Sequence, residues 1–336
     1  MRVLVAGGAG LLGAAIGKAL LTETDPVVLA DLFDDGGDGR AVKEWRAEPF
    51  ERHSRATVEH VDLTDAAALA ELFARHRPAA VVNAALFDPS GGGAGPLMFA
   101  ARTAGTGLFL HLSDGALYAP GPAPERPAGE DEPLDAAGDA SLLAKLEEER
   151  LLSELGLPFV CLRIFDVMGP LLPPRRFPSE ALEAILSGET VSYEESGWRD
   201  VVHLDDVVRG ILLALKRRPL GRALNIGGGL LVNPRTLLAL LAREAGKELR
   251  LSVTPPPGRL RPRRPARLSA AREALDWAPA YTVGTLVRSL VTARLGSGAV
   301  PGAAAPPASP APPARPVSRR ELFDLFRRPF DPKRRG

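Results

Sequence analysis

Cysteine is all but absent from this chain: Cys161 stands alone among 336 residues. One thiol cannot form an internal disulfide, so packing must hold the fold, and the usage fits a reducing compartment. Aromatic residues are scarce, at 5%, with three tyrosines and three tryptophans. No apolar run approaches the roughly 20 residues that span a bilayer. MRVLVAGGAG breaks into glycines too early for a signal peptide. Neither charge dominates, since 42 Lys and Arg face 41 Asp and Glu. That balance argues against nucleic-acid or membrane partners. His53, His60 and His76 are too dispersed for a metal site. The expectation is a cytoplasmic protein without a metal.

What the chain does have is alternation. RVLVA (2–6), VVLAD (27–31), ATVEHVD (56–62), AAVVNAA (79–85), LFLHLSD (108–114) and PFVCLRIF (158–165) are short and apolar. Such runs suit strands buried on both faces of a parallel sheet. Helical patterns at 11–21, 65–76 and roughly 139–155 separate them, which makes βαβ units. The spacing predicts an α/β fold, a Rossmann-like doubly wound parallel sheet over residues 1–166, to which 198–230 returns. A smaller C-terminal substrate-binding lobe would use 167–197 and 231–298. Residues 299–316 are Pro/Ala-rich and read as a linker, and 317–336 as a basic C-terminal tail.

Between the first strand and the first helix lies GGAGLLG, with Gly7, Gly10 and Gly13 three apart. In that context the first glycine permits the tight turn, the second lets a pyrophosphate approach, and the third lets helix and strand pack. Leu11 and Leu12 open the helix, where unpaired N–H groups face phosphate. Asp31 ends the second strand, with Leu32 next, and a carboxylate there suits the ribose hydroxyls of NADH. Arg40, Lys43 and Arg46 follow in a glycine-rich loop that would keep NADPH open. Asp62 and Leu63 end the third strand near an adenine, and Asn83, Ala84 and Ala85 end the fourth at the same edge.

Together the glycine loop, VDLTD (61–65), NAA (83–85), LRIFDVMGP (162–170), RDVVHLDD (199–206), ALNIGGG (223–229) and EALDWAP (273–279) resemble an extended short-chain dehydrogenase/reductase of the NAD-dependent epimerase/dehydratase type. The likeness runs from residue 1 to about 295. It implies a catalytic Ser/Thr, a Tyr and a Lys, with the Tyr four positions before the Lys on the long helix. Lys145 and Glu149 match. The Tyr position holds Ser141, and the Ser/Thr position, counted back from Tyr118, holds Asp114 beside Ser113. The stretch 87–96 is also shorter than the family's. The resemblance carries Lys145 and Ile164 over as cofactor contacts. It places Arg199 where nucleotide-sugar members hold a diphosphate, and Asp166 where the family often has Asn.

These departures bear on the chemistry. A tyrosine with pKa near 10, lowered by a neighbouring lysine, can work as acid or base. Ser141 and Ser113 cannot persist as alkoxide bases; Asp114 offers a carboxylate, but beside a nicotinamide it would also stabilise the oxidised cofactor's positive charge. Tyr118 is the one plausible substitute acid. Reduction of a ketone whose own phenol supplies the proton would ask only for orientation. Tyr118, Phe165, Asp166, Met168, Phe177, Trp198 and Arg199 read as substrate contacts, several with aromatic faces suited to a flat ligand. The lost pair resembles atypical ketoreductases of angucyclinone pathways of the simocyclinone type. The leading expectation is therefore an NAD(P)H-dependent ketoreductase acting on an aromatic polyketide-like ketone in antibiotic biosynthesis. The alternatives are a nucleotide-sugar epimerase, dehydratase or reductase, and a non-catalytic dinucleotide-binding sensor or scaffold. A homodimer is left open.

Overall fold

The computed structural model describes residues 1–23, 25–34, 38–87, 93–119, 126–170, 172–173, 176–195, 197–254, 263–296 and 315–316. The expected linker and tail lie outside the described residues, apart from 315–316, as do residues 88–92 of the short stretch 87–96.

The first half alternates strands and helices: β1 (Val3–Ala6), α1 (Leu11–Thr22), β2 (Val27–Asp31), α2 (Arg40–Glu51), β3 (Ala56–His60), α3 (Ala66–His76), β4 (Ala80–Asn83), α4 (Gly95–Thr103), β5 (Phe109–Asp114), α5 (Ala140–Glu154) and β6 (Phe159–Ile164). Then come β7 (Asp166–Met168), α6 (Ser179–Ser187), β8 (Thr190–Tyr193), β9 (Arg199–His203), α7 (Leu204–Arg217), β10 (Arg222–Ile226), β11 (Leu231–Val232) and α8 (Pro234–Glu244). β12 (Arg250–Val253), α9 (Ser269–Leu275), α10 (Val283–Gly296) and the two-residue β13 (Arg315–Pro316) complete the order.

Seven strands form one sheet in the order β10-β6-β5-β4-β1-β2-β3, with every pair parallel. The order reverses next to β1, so its carboxyl edge opens into a crevice there, the usual ligand position of such sheets. β1, β2 and β4 are buried at every position, because helices cover both faces. One face packs α1, α7 and α9 around Ile16, Ile211 and Trp277, and the other packs α3, α4 and α5 around Leu69, Met98 and Leu152. Burying each such side chain contributes about 1.5–3 kcal/mol. Trp277 is fully buried and its indole donates to the Asp206 carbonyl at 2.9 Å, which locks the EALDWAP segment onto α7.

The smaller lobe has its own core, in which α6, α8 and α10 share Leu182, Leu238 and Leu290. Its strands fall into two short sheets, β11-β9-β7 and β13-β12-β8. β9 leads directly into α7, and His203 caps that helix by accepting from the Asp205 amide at 3.1 Å. No helix among the described residues is long and apolar enough to cross a membrane.

Candidate functional site

A cleft of about 1310 Å³ runs over the carboxyl edge of the sheet and under the smaller lobe. Gly7, Gly10, Leu11, Leu12, Asp31, Leu32, Asp62, Leu63, Ala84 and Ala85 line one end. Gly7 has a φ of +72°, and a Cβ there would stand 2.7 Å from the Ala85 backbone. A Cβ on Gly13 would come within 2.1 Å of the Gly7 carbonyl oxygen. Gly13 therefore seals helix to strand and does not line the cleft. Gly10 differs: a Cβ there meets only the Gly7 carbonyl oxygen, at 3.2 Å. Its outer side is cleft, and no side chain caps α1, so the first amides of the helix face that space. Such a cradle suits a phosphate.

Asp31 is buried at the end of β2. Its carboxylate accepts from the amides of Ala9 at 3.1 Å and Phe33 at 3.2 Å, and Lys43 Nζ lies 3.5 Å away. The cationic loop expected over this end is instead helix α2. Arg40 is exposed on its first turn and does not line the cleft. Lys43 pairs with Asp34 as well as Asp31, and Arg46 is buried against Asp38. These cations are engaged by local acids, so the case for a 2′-phosphate weakens. Asp62 lines the cleft while accepting from Thr64 at 2.8 Å. Asn83 does not line it: fully buried, it contacts His111 at 3.2 Å across the β4–β5 pair.

At the centre stand Ser113, Asp114, Tyr118, Lys145 and Ile164, all lining the cleft. Ser113 Oγ donates to Glu149 at 2.5 Å, and Glu149 also binds Arg163 at 2.8 Å. Asp114 uses one carboxylate oxygen to accept the Ala116 amide at 2.7 Å. The other has no partner among the described residues. Burial pushes the Asp114 carboxyl up from its ordinary range, with Lys145 and Arg263 acting the other way. Lys145 is buried, and its Nζ donates to Glu148 at 3.0 Å and to the Ala85 carbonyl at 3.4 Å. Glu148 is itself buried, 3.5 Å from His111 Nε2, and accepts from the Ala94 amide at 3.0 Å. Burial drives His111 well below its usual pKa, so it stays neutral beside the lysine.

Two expected chemical residues fail on geometry. Ser141 is exposed and does not line the cleft. It stands one turn before Lys145, the correct helical interval, but a serine is too short to reach where a tyrosine ring would. Leu142 fills that part of the wall. Tyr118 turns its hydroxyl away from chemistry: it donates to Asn225 at 2.6 Å and accepts from Arg163 at 2.8 Å. Burial raises it to about 12 in spite of the Arg163 charge. A phenol held in both roles at that pKa is a poor proton donor.

The far end is cationic. Arg176, Arg199, Arg263 and Arg264 line it with Phe165, Asp166, Phe177 and Asp200. Arg199 reaches Asp166 at 3.0 Å, while Arg263 reaches both its oxygens at 2.7 Å. Arg199 also sits over the Phe177 ring, 5.1 Å from its centroid. Arg264 is bound to Glu132 at 2.6 Å. Asp200 is buried, accepts three backbone amides between Gly228 and Ala266, and is pushed up to about 7 by burial. Met168 belongs to the lobe's core, and Trp198 does not line the cleft. The expected aromatic wall thus shrinks to Phe165, Phe177 and the Tyr118 ring. Sequence reasoning missed Glu148, Arg176 and Arg263. The only signals were the run of three acids EEE (147–149) and the basic runs RRF (175–177) and RPRRP (261–265).

Comparison with known proteins agrees with this picture. The description NAD dependent epimerase/dehydratase family matches residues 3–227. A UDP-glucose 4-epimerase of Mycolicibacterium smegmatis is 30% identical over 306 residues, 83% of this chain and 94% of its own length. A dTDP-glucose 4,6-dehydratase of Escherichia coli is 26% identical over 266 residues, 68% of this chain and 72% of its own. Among solved structures, a UDP-glucuronic acid 4-epimerase from Bacillus cereus, in complex with UDP-glucuronic acid and NAD, superposes with a TM-score of 0.80. It shares 21% identity over 88% of this chain and 99% of its own, a likeness of fold. These relatives overturn the expectation of an aromatic polyketide ketone and of an aromatic small-molecule partner, since those that match are named for nucleotide sugars. The physical reason is in the cleft, whose far wall carries arginines where flat apolar surface was expected. With the glycine cradle, Asp31 and the family motifs in place, this chain belongs to the NAD dependent epimerase/dehydratase family, whose cofactor is NAD(H).

Proposed function

We propose that this protein binds NAD(H) and a nucleotide sugar end to end in one cleft and works by hydride transfer at a sugar carbon, with Asp114 handling the proton. One observation carries the reading: a continuous line of groups joins the two ends. Gly7 packs on Ala85, Ala85 accepts from Lys145, and Asp114 lines the same cleft as Lys145 and Arg263. The glycine cradle suits the pyrophosphate of the cofactor, and Arg176, Arg199 and Arg263 suit that of the sugar nucleotide. The relatives' names support the substrate class.

The bound cofactor supplies the hydride acceptor or donor. The chain's own residues do the rest. When a sugar alcohol is oxidised, its hydroxyl proton passes to Asp114 as hydride leaves the same carbon; in reduction Asp114 returns it. A carboxyl raised by burial is better matched to this exchange near neutral pH than an ordinary aspartate. Lys145, held by Glu148, orients the reacting groups. The test is to incubate the protein with UDP- and dTDP-hexoses and either cofactor form, following nicotinamide absorbance and product by mass. Turnover that Asp114→Asn abolishes supports the reading; turnover that survives it moves the proton elsewhere. A second reading rests on Ser113, Tyr118 and Lys145 all being engaged in internal bonds: a protein that binds both ligands without reaction. Tight binding of both with no hydride exchange favours it.

A further inference from the structure

Asp166 lies inside the cationic end of the cleft, where an anion would bind. Arg199 spends one guanidinium nitrogen on it at 3.0 Å, and Arg263 chelates both its oxygens from one nitrogen at 2.7 Å. The remaining N–H groups of both arginines have no partner among the described residues, and Arg176 makes no ion pair there. The side chains of Asp166, Arg199 and Arg263 are 18%, 32% and 42% exposed, so all three meet the cleft and its water. With Arg264 paired to Glu132 and Asp200 held by backbone amides, the remaining set is three cations and one fixed anion. An arriving phosphate meets arginines already half neutralised, and a carboxylate close enough to repel it.

From this arrangement we infer that Asp166 is a specificity-determining residue, selecting a diphosphate diester, the linkage of a nucleotide sugar, over a free nucleoside diphosphate. The inference rests on the nucleotide-sugar reading. In the diester each phosphate carries one charge. In the free nucleotide the terminal phosphate ionises a second time, with a pKa near 6, so at neutral pH it brings one more negative charge to the same place. Repulsion from a carboxylate a few ångströms away grows with that charge, and the half-buried setting screens it less than open water would. Asp166 thus penalises the free nucleotide more than the sugar conjugate, and keeps a hydrolysed nucleotide from occupying the cleft.

The test is calorimetry on the full chain saturated with NAD, using UDP-glucose, UDP, dTDP-glucose, dTDP and inorganic pyrophosphate. Wild type is expected to prefer each nucleotide sugar to its free nucleotide. Asp166→Asn should tighten UDP and dTDP about tenfold more than their glucose conjugates. Arg263→Gln removes a cation and should shift the ratio the opposite way, while Asp166→Glu keeps wild-type selectivity. Equal changes for both ligands in Asp166→Asn, or a loss for both, would overturn the assignment. If Asp166→Asn fails to fold, Asp166→Ser, which also removes the carboxylate, takes its place with the same shift expected and the same outcomes overturning the assignment. The pyrophosphate arm separates the two claims. Tighter pyrophosphate in Asp166→Asn, with no nucleotide bound by any variant, sinks the nucleotide-sugar reading and leaves the role of Asp166 standing. Pyrophosphate affinity indifferent to Asp166→Asn sinks the role of Asp166.

Discussion

The two halves of the cleft were built by the same sheet edge but keep different things. At the glycine end, the working parts are backbone: the turn at Gly7, the bare Gly10, the open amides of α1. At the chemical end, the parts are side chains, and the hydroxyls among them are exposed or tied. Ser141 is exposed, Ser113 bonds Glu149, and Tyr118 is held by Asn225 and Arg163. The difference teaches that binding and chemistry separate in this fold. A backbone cradle needs only its three glycines, whereas a proton-transfer group depends on the burial and partners of a single side chain.

The comparison can be broken, first, at the glycine end. Gly10→Glu asks little of the protein: a Cβ there meets only the Gly7 carbonyl oxygen, at 3.2 Å, which must give by a few tenths of an ångström. Its carboxylate would stand in the phosphate's place, so NAD(H) binding should fall below detection in calorimetry while the melting temperature holds. At the chemical end, Asp114→Asn should lower turnover about 10²–10⁴-fold, the usual range for a lost general acid or base, with NAD affinity unchanged by the same calorimetry. Because burial raises Asp114, the rate of sugar oxidation should climb with pH above the ordinary aspartate range, as the carboxylate forms. The rate of reduction should decline over the same interval, as the acid form is lost. Opposite slopes would remove Asp114 from the role.

The smaller effects sharpen the contrast. Tyr118→Phe leaves the Asn225 oxygen and Arg163 short of a buried partner, so denaturant melts should show a loss of about 1–3 kcal/mol, with kcat nearly intact. A large loss of kcat would restore Tyr118 as the acid. Ser141→Ala should change neither stability nor rate beyond about twofold, since an exposed helix position tolerates alanine.

Much of the fold was legible because burial on both faces leaves a plain mark. VVLAD (27–31) is a strand at the same bounds, and DAAALAELFARH gives α3 with Asp65 as its cap, accepting from Ala67 and Ala68. Helix α2 was not legible: a glycine-rich approach and a proline inside it, Pro49, disguised its pattern. Asn83 looked like a cleft residue because it ends a strand at the correct edge, yet its amide turns inward to His111. Met168 looked like a ligand wall because apolar side chains near a cleft and apolar side chains of a core have the same composition, while Trp198 is half-buried and off the cleft. Arg263 could not be found from order along the chain, since 97 positions separate it from Asp166.

From sequence alone came the parallel sheet, the glycine cradle with Asp31, and the one-turn interval from Ser141 to Lys145. Each is a local property of spacing or residue type, and local patterns survive without knowledge of the fold. The tertiary structure decided which groups meet. It turned Tyr118 into a buried strut, bound Lys145 to Glu148, and gathered Arg199 and Arg263 around Asp166. Burial and charge pairing across distant segments set those roles, because a side chain's proton affinity and reach depend on neighbours that only folding brings near.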